Sequence, residues 1–122
     1  MTERKSSFED LECWKAGRLL KELIRRDILP KFPAEEKYSL NAQLKRAMRS
    51  ITINIAEGNG RYHYMDEAKF LINSRGSAHE LLDRLIEAFD GKYISEADLN
   101  QVRDKADHFL RLLNGDRSYV AR

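Results

Sequence analysis

Lys45, Arg46 and Arg49, followed by Arg61, stand in a helical run from Gln43 to Arg61 that stops at Gly58-Asn59-Gly60. Leu40, Leu44, Ala47, Met48, Ile51 and Ile55 recur there at helical spacing and claim one face for a core. The three cations fall on the other face, with Ala42, Ile53 and Ala56 among them. Ammonium and guanidinium groups at that density attract phosphates. A face that mixes Arg with Ile is built for contact with something large, either another subunit or a polyanion. Arg18, Arg25 and Arg26, with Lys15, form a second such face earlier in the chain, and Leu11 and Trp14 lie along its margin. Trp14 reads as a core-edge aromatic whose surroundings would also suit an interface anchor.

Other groupings carry less. Arg103 and His108 have the spacing of helical ribonucleases of the HEPN type, in which the His would serve as acid or base and the Arg would hold the scissile phosphate. Five helical steps turn the two positions about 140° apart, which weighs against a joint site. Gly58-Asn59-Gly60 lacks the strand and the Lys-Ser/Thr ending of a phosphate loop, so it reads as a helix-ending turn with Gly58 in the left-handed conformation. The Glu-x-x-His pairs of dimetal bundles are missing, and no Ser or Cys has a nucleophile context. We therefore expect no metal, no cofactor and no catalysis. Tyr62, His63 and Tyr64 beside Arg61 could stack on unpaired bases or pack the turn against a neighbour.

The chain has 122 residues, 42% hydrophobic and 34% charged, which suits one helical domain with strongly amphipathic elements. A single cysteine, Cys13, excludes an internal disulfide and points to a reducing compartment, with the thiol inert at a core edge. The opening residues hold no apolar run fit for a signal peptide, and no segment approaches the roughly 18 apolar residues that span a bilayer. We expect a cytoplasmic protein without membrane contact. The net charge of +2 is unevenly placed. Residues 15–31 hold six basic and two acidic groups and residues 41–61 four and one, whereas residues 62–116 hold seven and eleven.

Four elements must position these groups. The periodicity predicts helices over about 8–29, 36–58, 65–90 and 95–113, with a short polar tail from 114 to 122. Ser7 with Asp10 and Ser95 with Asp98 are capping boxes, while Pro30 with Pro33, Gly91 and Asn114-Gly115 are stops. The first helix offers Ala16, Leu19, Leu20, Leu23 and Ile24 to the core. The third offers Leu71, Ala78, Leu82, Leu85 and Phe89, widened by Ala68, Leu81 and Ile86. The fourth offers Leu99, Val102, Ala106, Phe109, Leu110 and Leu113. Arg75 falls inside the third stripe, and we expect it to join a polar network with Ser50, Asn54 or Glu57 that fixes helix register. Gly76-Ser77-Ala78 suggests a close packing or interface role. No segment alternates with period two. The fold class is all-α, an antiparallel up-down-up-down four-helix bundle.

Phe8-x-x-Leu11-x-x-Trp14-x-x-Gly17, Phe32-Pro33 with Glu36 and Tyr38, and Leu40-x-x-Gln43-Leu44-x-Arg46-Ala47 follow in order. Ser50-Ile51-x-x-Asn54-Ile55-Ala56-Glu57-Gly58-x-Gly60-Arg61 and Gly76-Ser77-Ala78-x-Glu80-Leu81 continue the series. Over residues 8–94 this pattern resembles the four-helix bundle proteins encoded in intervening sequences of bacterial large-subunit (23S) ribosomal RNA genes. The resemblance implies a bacterial cytosolic bundle that assembles into a cyclic homo-oligomer, a pentamer in members of known structure. It further implies kinship with accessory proteins of diversity-generating retroelements, which share the bundle and ring and are thought to bind nucleic acid.

A head-to-tail ring needs two different surfaces per subunit. Ile53 with Ala42 and Ala56, and Leu11 with Trp14, are the candidates. Lys45, Arg46, Arg49 and Arg61, joined by Arg18, Arg25 and Arg26, are the candidate phosphate contacts of a non-catalytic RNA-binding oligomer. The alternatives are a scaffold or partner-protein module whose cations serve assembly, and a ribonuclease using Arg103 and His108.

Overall fold

A computed structural model describes residues 7–61 and 64–115 of the chain, and it is all helical there. The four long helices are α1 (Glu12–Leu23), α2 (Leu40–Asn59), α3 (Tyr64–Asp90) and α4 (Glu96–Leu113). Contacts between them run in opposite senses. Gly58 meets Phe70, Ile51 meets Ser74 and Ser50 meets Ser77, so α2 and α3 are antiparallel. Gly17 reaches Phe109 while Lys31, past the end of α1, reaches Asp98 at the start of α4. The seam of α2 with α3 is the most extensive, and that of α1 with α2 is the sparsest of the four. No helix among the described residues is long and apolar enough to cross a membrane.

The core follows the apolar periodicity. Leu20, Ile24 and Ile28, Leu44, Ile51 and Ile55, Leu81 and Leu85, and Val102 and Phe109 are all fully buried in one cluster. Each such side chain contributes about 1.5–3 kcal/mol. Leu19 departs from expectation and stays 56% exposed, because Ala16, Leu20 and Leu23 centre the buried face one step away.

The first element is not one helix. Ser7 and Asp10 form their capping box around a short 3-10 turn, Phe8–Asp10, and Leu11 is extended before α1 begins. After Leu23 the helix widens to a π segment, Ile24–Ile28, and then tightens to a 3-10 turn, Leu29–Lys31. The wider turn keeps Leu20, Ile24 and Ile28 together on the core side, where a regular helix would drift by about 40° per four residues. The second helix starts at Leu40 rather than 36, after a 3-10 turn over Ala34–Glu36. Glu36 serves its start from outside, accepting the Ser39 hydroxyl, the Leu40 amide at 3.4 Å and the Tyr93 hydroxyl at 2.6 Å. These bonds, Ser39 first, hold the Glu36 carboxyl below its ordinary pKa, and Glu36 in turn pushes the Tyr93 phenol up to about 12.

One glycine expectation changes. Gly58 is buried inside α2 rather than ending it, and a Cβ there would lie 2.9 Å from the Cβ of Phe70. Its missing side chain lets α3 approach; the helix stops at Gly60, with ordinary negative φ. As expected, α3 stops at Asp90 with Gly91 next; the left-handed residue of that turn is Lys92 (φ 66°), and the Tyr93 amide donates to the Ala88 carbonyl at 2.9 Å.

Arg75 is exposed, outside the stripe in which the periodicity put it. Ser74 is the buried residue of that turn, and its hydroxyl donates to the Ile51 carbonyl at 2.6 Å. The register network at Ser50 and Asn54 exists without the arginine. Ser77 donates to the Ser50 hydroxyl at 2.7 Å, and Asn54 donates to the same oxygen at 2.9 Å. A small hydroxyl reaches a neighbouring backbone without burying a charge, so it displaces arginine from the seam. Gly76 is exposed with nothing within 4 Å of where its Cβ would be.

Candidate nucleic-acid interface

Along α1 and its π extension, positions 18, 21, 22, 25 and 29 share one side, spaced as helical neighbours. Positions 45, 48 and 49 of α2 share the side that faces them. The sparse seam between the two elements opens into a hollow of about 410 Å³ lined by Arg18, Lys21, Glu22, Arg25, Leu29, Lys45, Met48 and Arg49. Leu29 and Met48 are buried and form apolar floor; the arginines and Lys45 stand exposed around it.

Lys21 is the one cation tied across the seam, its ammonium donating to the Thr52 hydroxyl at 2.7 Å. Burial and then the charge of Arg18 push its pKa below the ordinary lysine value. Glu22, the hollow's only carboxylate, is bonded to Arg25 at 3.0 Å. Among the described residues no carboxylate lies within 4.0 Å of Lys45 or Arg49. A concave surface of one charge sign focuses potential and draws counter-ions.

Of the seven sequence-predicted phosphate contacts, the fold brings four together: Arg18, Arg25, Lys45 and Arg49. Arg46 is exposed on α2 but does not line the hollow; it shares a stripe with Ala42, Arg49, Ile53 and Ala56. Arg26 is held through two bonds by Asp27, at 3.1 and 3.0 Å. Arg61 sits past the end of α2 with its guanidinium 4.7 Å from the Phe70 ring centroid. It lies roughly 18 Å along the axis from Arg49. In the sequence Lys21 is one of the six basic groups of residues 15–31 and no more than that. The available signal was its place between Arg18 and Arg25, three residues after one and four before the other.

The two apolar surfaces differ. Ile53 is 54% exposed, with Ala42 exposed and Ala56 half-buried beside it. Leu11 and Trp14 are half-buried against their own core. Trp14 takes the Phe8 ring edge-on at 5.3 Å and carries the Arg18 guanidinium 5.8 Å from its centroid. It also borders a second hollow of about 490 Å³ with Glu9, Asp10, Lys15, Leu19 and Glu22, where the charges are mixed.

Arg103 and His108 are exposed on α4 and line neither hollow. The helix turns them about 140° apart, so they do not converge on a reacting atom. Cys13 packs against the core, and burial pushes its thiol pKa up, away from the reactive thiolate. Tyr62, His63 and the side chain of Tyr64, offered as a stacking platform, lie outside the described residues.

The fold and the hollow define a class: a small all-α four-helix bundle with a cationic groove on one seam. Within it the chain belongs to the 23S rRNA-intervening sequence protein family, whose model matches residues 9–115. The match spans all four helices and every residue of the groove. No curated protein sequence matches the chain.

Proposed function

We propose that this protein is a non-catalytic RNA-binding protein of the cytosol that works as a cyclic homo-oligomer, the pentamer implied by its family resemblance. The observation that carries this is the groove of α1 and α2, where Arg18, Lys21, Arg25, Lys45 and Arg49 face one another over a single paired carboxylate. Phosphate contacts from such a groove give sequence-independent affinity, and RNA shape or a partner protein supplies specificity. Several copies in a ring multiply the contacts on one strand.

The test is anisotropy of a labelled single-stranded RNA titrated against salt, with wild type and Lys45→Glu/Arg49→Glu. Each lost phosphate contact lowers the salt slope by about 0.7 and the pair lowers affinity roughly tenfold or more. Unchanged affinity and slope would remove the groove from RNA binding.

A second reading, an assembly or scaffold module, draws support from the exposed Ile53 in line with Arg46 and Ala42. Light scattering on the same charge-reversed protein and on Ile53→Asp separates the two. Dispersal of the oligomer by the charge reversals favours the scaffold, and intact oligomers that no longer bind favour RNA.

A further inference from the structure

We infer that the groove between α1 and α2 receives a contiguous di- or triphosphate, as carried by an RNA 5′ end or a nucleoside triphosphate, in preference to a run of single phosphodiesters. This rests on reading the groove as the nucleic-acid site and names the part of the ligand that enters it.

The first ground is charge density in one bounded place. Five cations surround a hollow of about 410 Å³, and the one carboxylate there is already bonded to Arg25. Five against one leaves an excess of four positive charges, whereas a phosphodiester brings one negative charge. A triphosphate end brings roughly three to four, because its terminal group carries about −1.5 to −2 and each inner group one more.

The second ground is that, among the described residues, the cations predicted as phosphate contacts but outside the hollow are paired, stacked or set to one side of it. A surface that tracks a strand needs cations spread along it. Here Arg26 is neutralised by Asp27, Arg46 is outside the hollow, and Arg61 is far down α2, stacked on Phe70. Five cations border this one hollow.

The third ground is donor geometry. Lys21 gives one N–H to Thr52 and keeps two for a ligand at the inner wall of the groove. Arg49 offers a forked guanidinium suited to adjacent phosphate oxygens, beside Arg18, which lies over Trp14, and Arg25, which is bonded to Glu22. Burial first, and then the like charge of Arg18, lowers the pKa of Lys21, a cost of charge that an anion in the groove would relieve.

The experiment uses the full chain in magnesium-free buffer. Calorimetry compares tripolyphosphate, orthophosphate, citrate and a nucleoside triphosphate; anisotropy compares one RNA sequence bearing a 5′-triphosphate or a 5′-hydroxyl. Tripolyphosphate should bind about tenfold or more tighter than orthophosphate and citrate, and the triphosphate RNA should exceed the hydroxyl RNA by a similar factor. Arg49→Gln, on an exposed side chain that does not risk the fold, should abolish that preference, and Arg46→Gln should keep it. Lys21→Arg should retain it and Lys21→Met reduce it. Equal affinity for the two RNA ends together with no advantage of tripolyphosphate overturns the inference, as does citrate binding as tightly as tripolyphosphate. If RNA binding depends on Lys45 and Arg49 yet ignores the 5′ end, the inference fails and the RNA reading stands. If the nucleotide and tripolyphosphate bind and RNA does not, the polyphosphate site stands and the RNA reading fails.

Discussion

The helix α2 has two seams of opposite character. Against α3, Gly58 lets the backbones close, Ser74 and Ser77 donate across the gap to the Ile51 carbonyl and the Ser50 hydroxyl, and Asn54 bonds to Ser50 within α2. Against α1, one bond from Lys21 to Thr52 crosses, and Lys45 and Arg49 face Arg18 and Arg25 over a hollow. Small neutral donors that satisfy each other shut a seam. Like charges of long reach hold one open and ready for an anion. The same helix is therefore structural on one side and receptive on the other.

The largest effect expected is at the closed seam. Gly58→Val puts a branched side chain where even a Cβ would be 2.9 Å from the Cβ of Phe70, an atom fixed to its backbone. Urea unfolding should show a loss of about 1–3 kcal/mol. Wild-type stability in that variant would break the contrast between the seams.

Next comes the pH dependence: a lowered pKa makes stability rise with pH at both Asp98 and Lys21, but as a stabilising charge lost in acid at the first and as a cost relieved in alkali at the second. Asp98 is held below the ordinary carboxyl pKa, first by the Lys31 ammonium at 2.8 Å. Its contribution is present above the unfolded carboxyl value of 3.8 and is lost as pH falls through the lower folded one. Lys21 is also lowered, but for a base that means a cost while it is charged in the fold, relieved as pH rises from its folded value towards 10.5. Unfolding curves across pH should show Asp98→Asn losing part of the acid sensitivity and Lys21→Met losing an alkaline gain. Matching pH profiles for wild type and Lys21→Met would show that burial and Arg18 do not burden the Lys21 ammonium in the fold.

The smallest effect sharpens the picture of the outer surface. Gly76 lies mid-helix in α3 with open space around it, so Gly76→Ala should raise stability by about 0.5–1 kcal/mol. A loss instead would show that α3 presents this face to a close neighbour, as a glycine kept for assembly would.

Much of the bundle was legible because burial repeats with helical period. Every predicted core residue of α2 is buried, and both capping boxes form where Ser and Asp stand three apart. The π segment escaped notice since its residues, Ile24–Ile28, also fit an ordinary amphipathic helix. Arg75 and Ser74 were exchanged because one residue's rotation decides which enters the seam, and a hydroxyl near a carbonyl is invisible along the chain. For the candidate site, periodicity put Arg18, Arg25, Lys45 and Arg49 on faces away from the core, and all four are exposed around one hollow. It could not remove Arg26, whose neighbour Asp27 bonds to it, or add Lys21, whose partner Thr52 is 31 residues away.

Sequence alone determined the four helices, their buried faces and the excess of cations in the first half, since these follow from spacing and from side-chain chemistry along single elements. Tertiary structure alone decided which cations share a hollow, which are neutralised, and that Gly58 serves an approach rather than a turn. Those outcomes depend on how far apart two helix axes settle. That distance is set by side chains from both elements at once, and neither element's own pattern contains it.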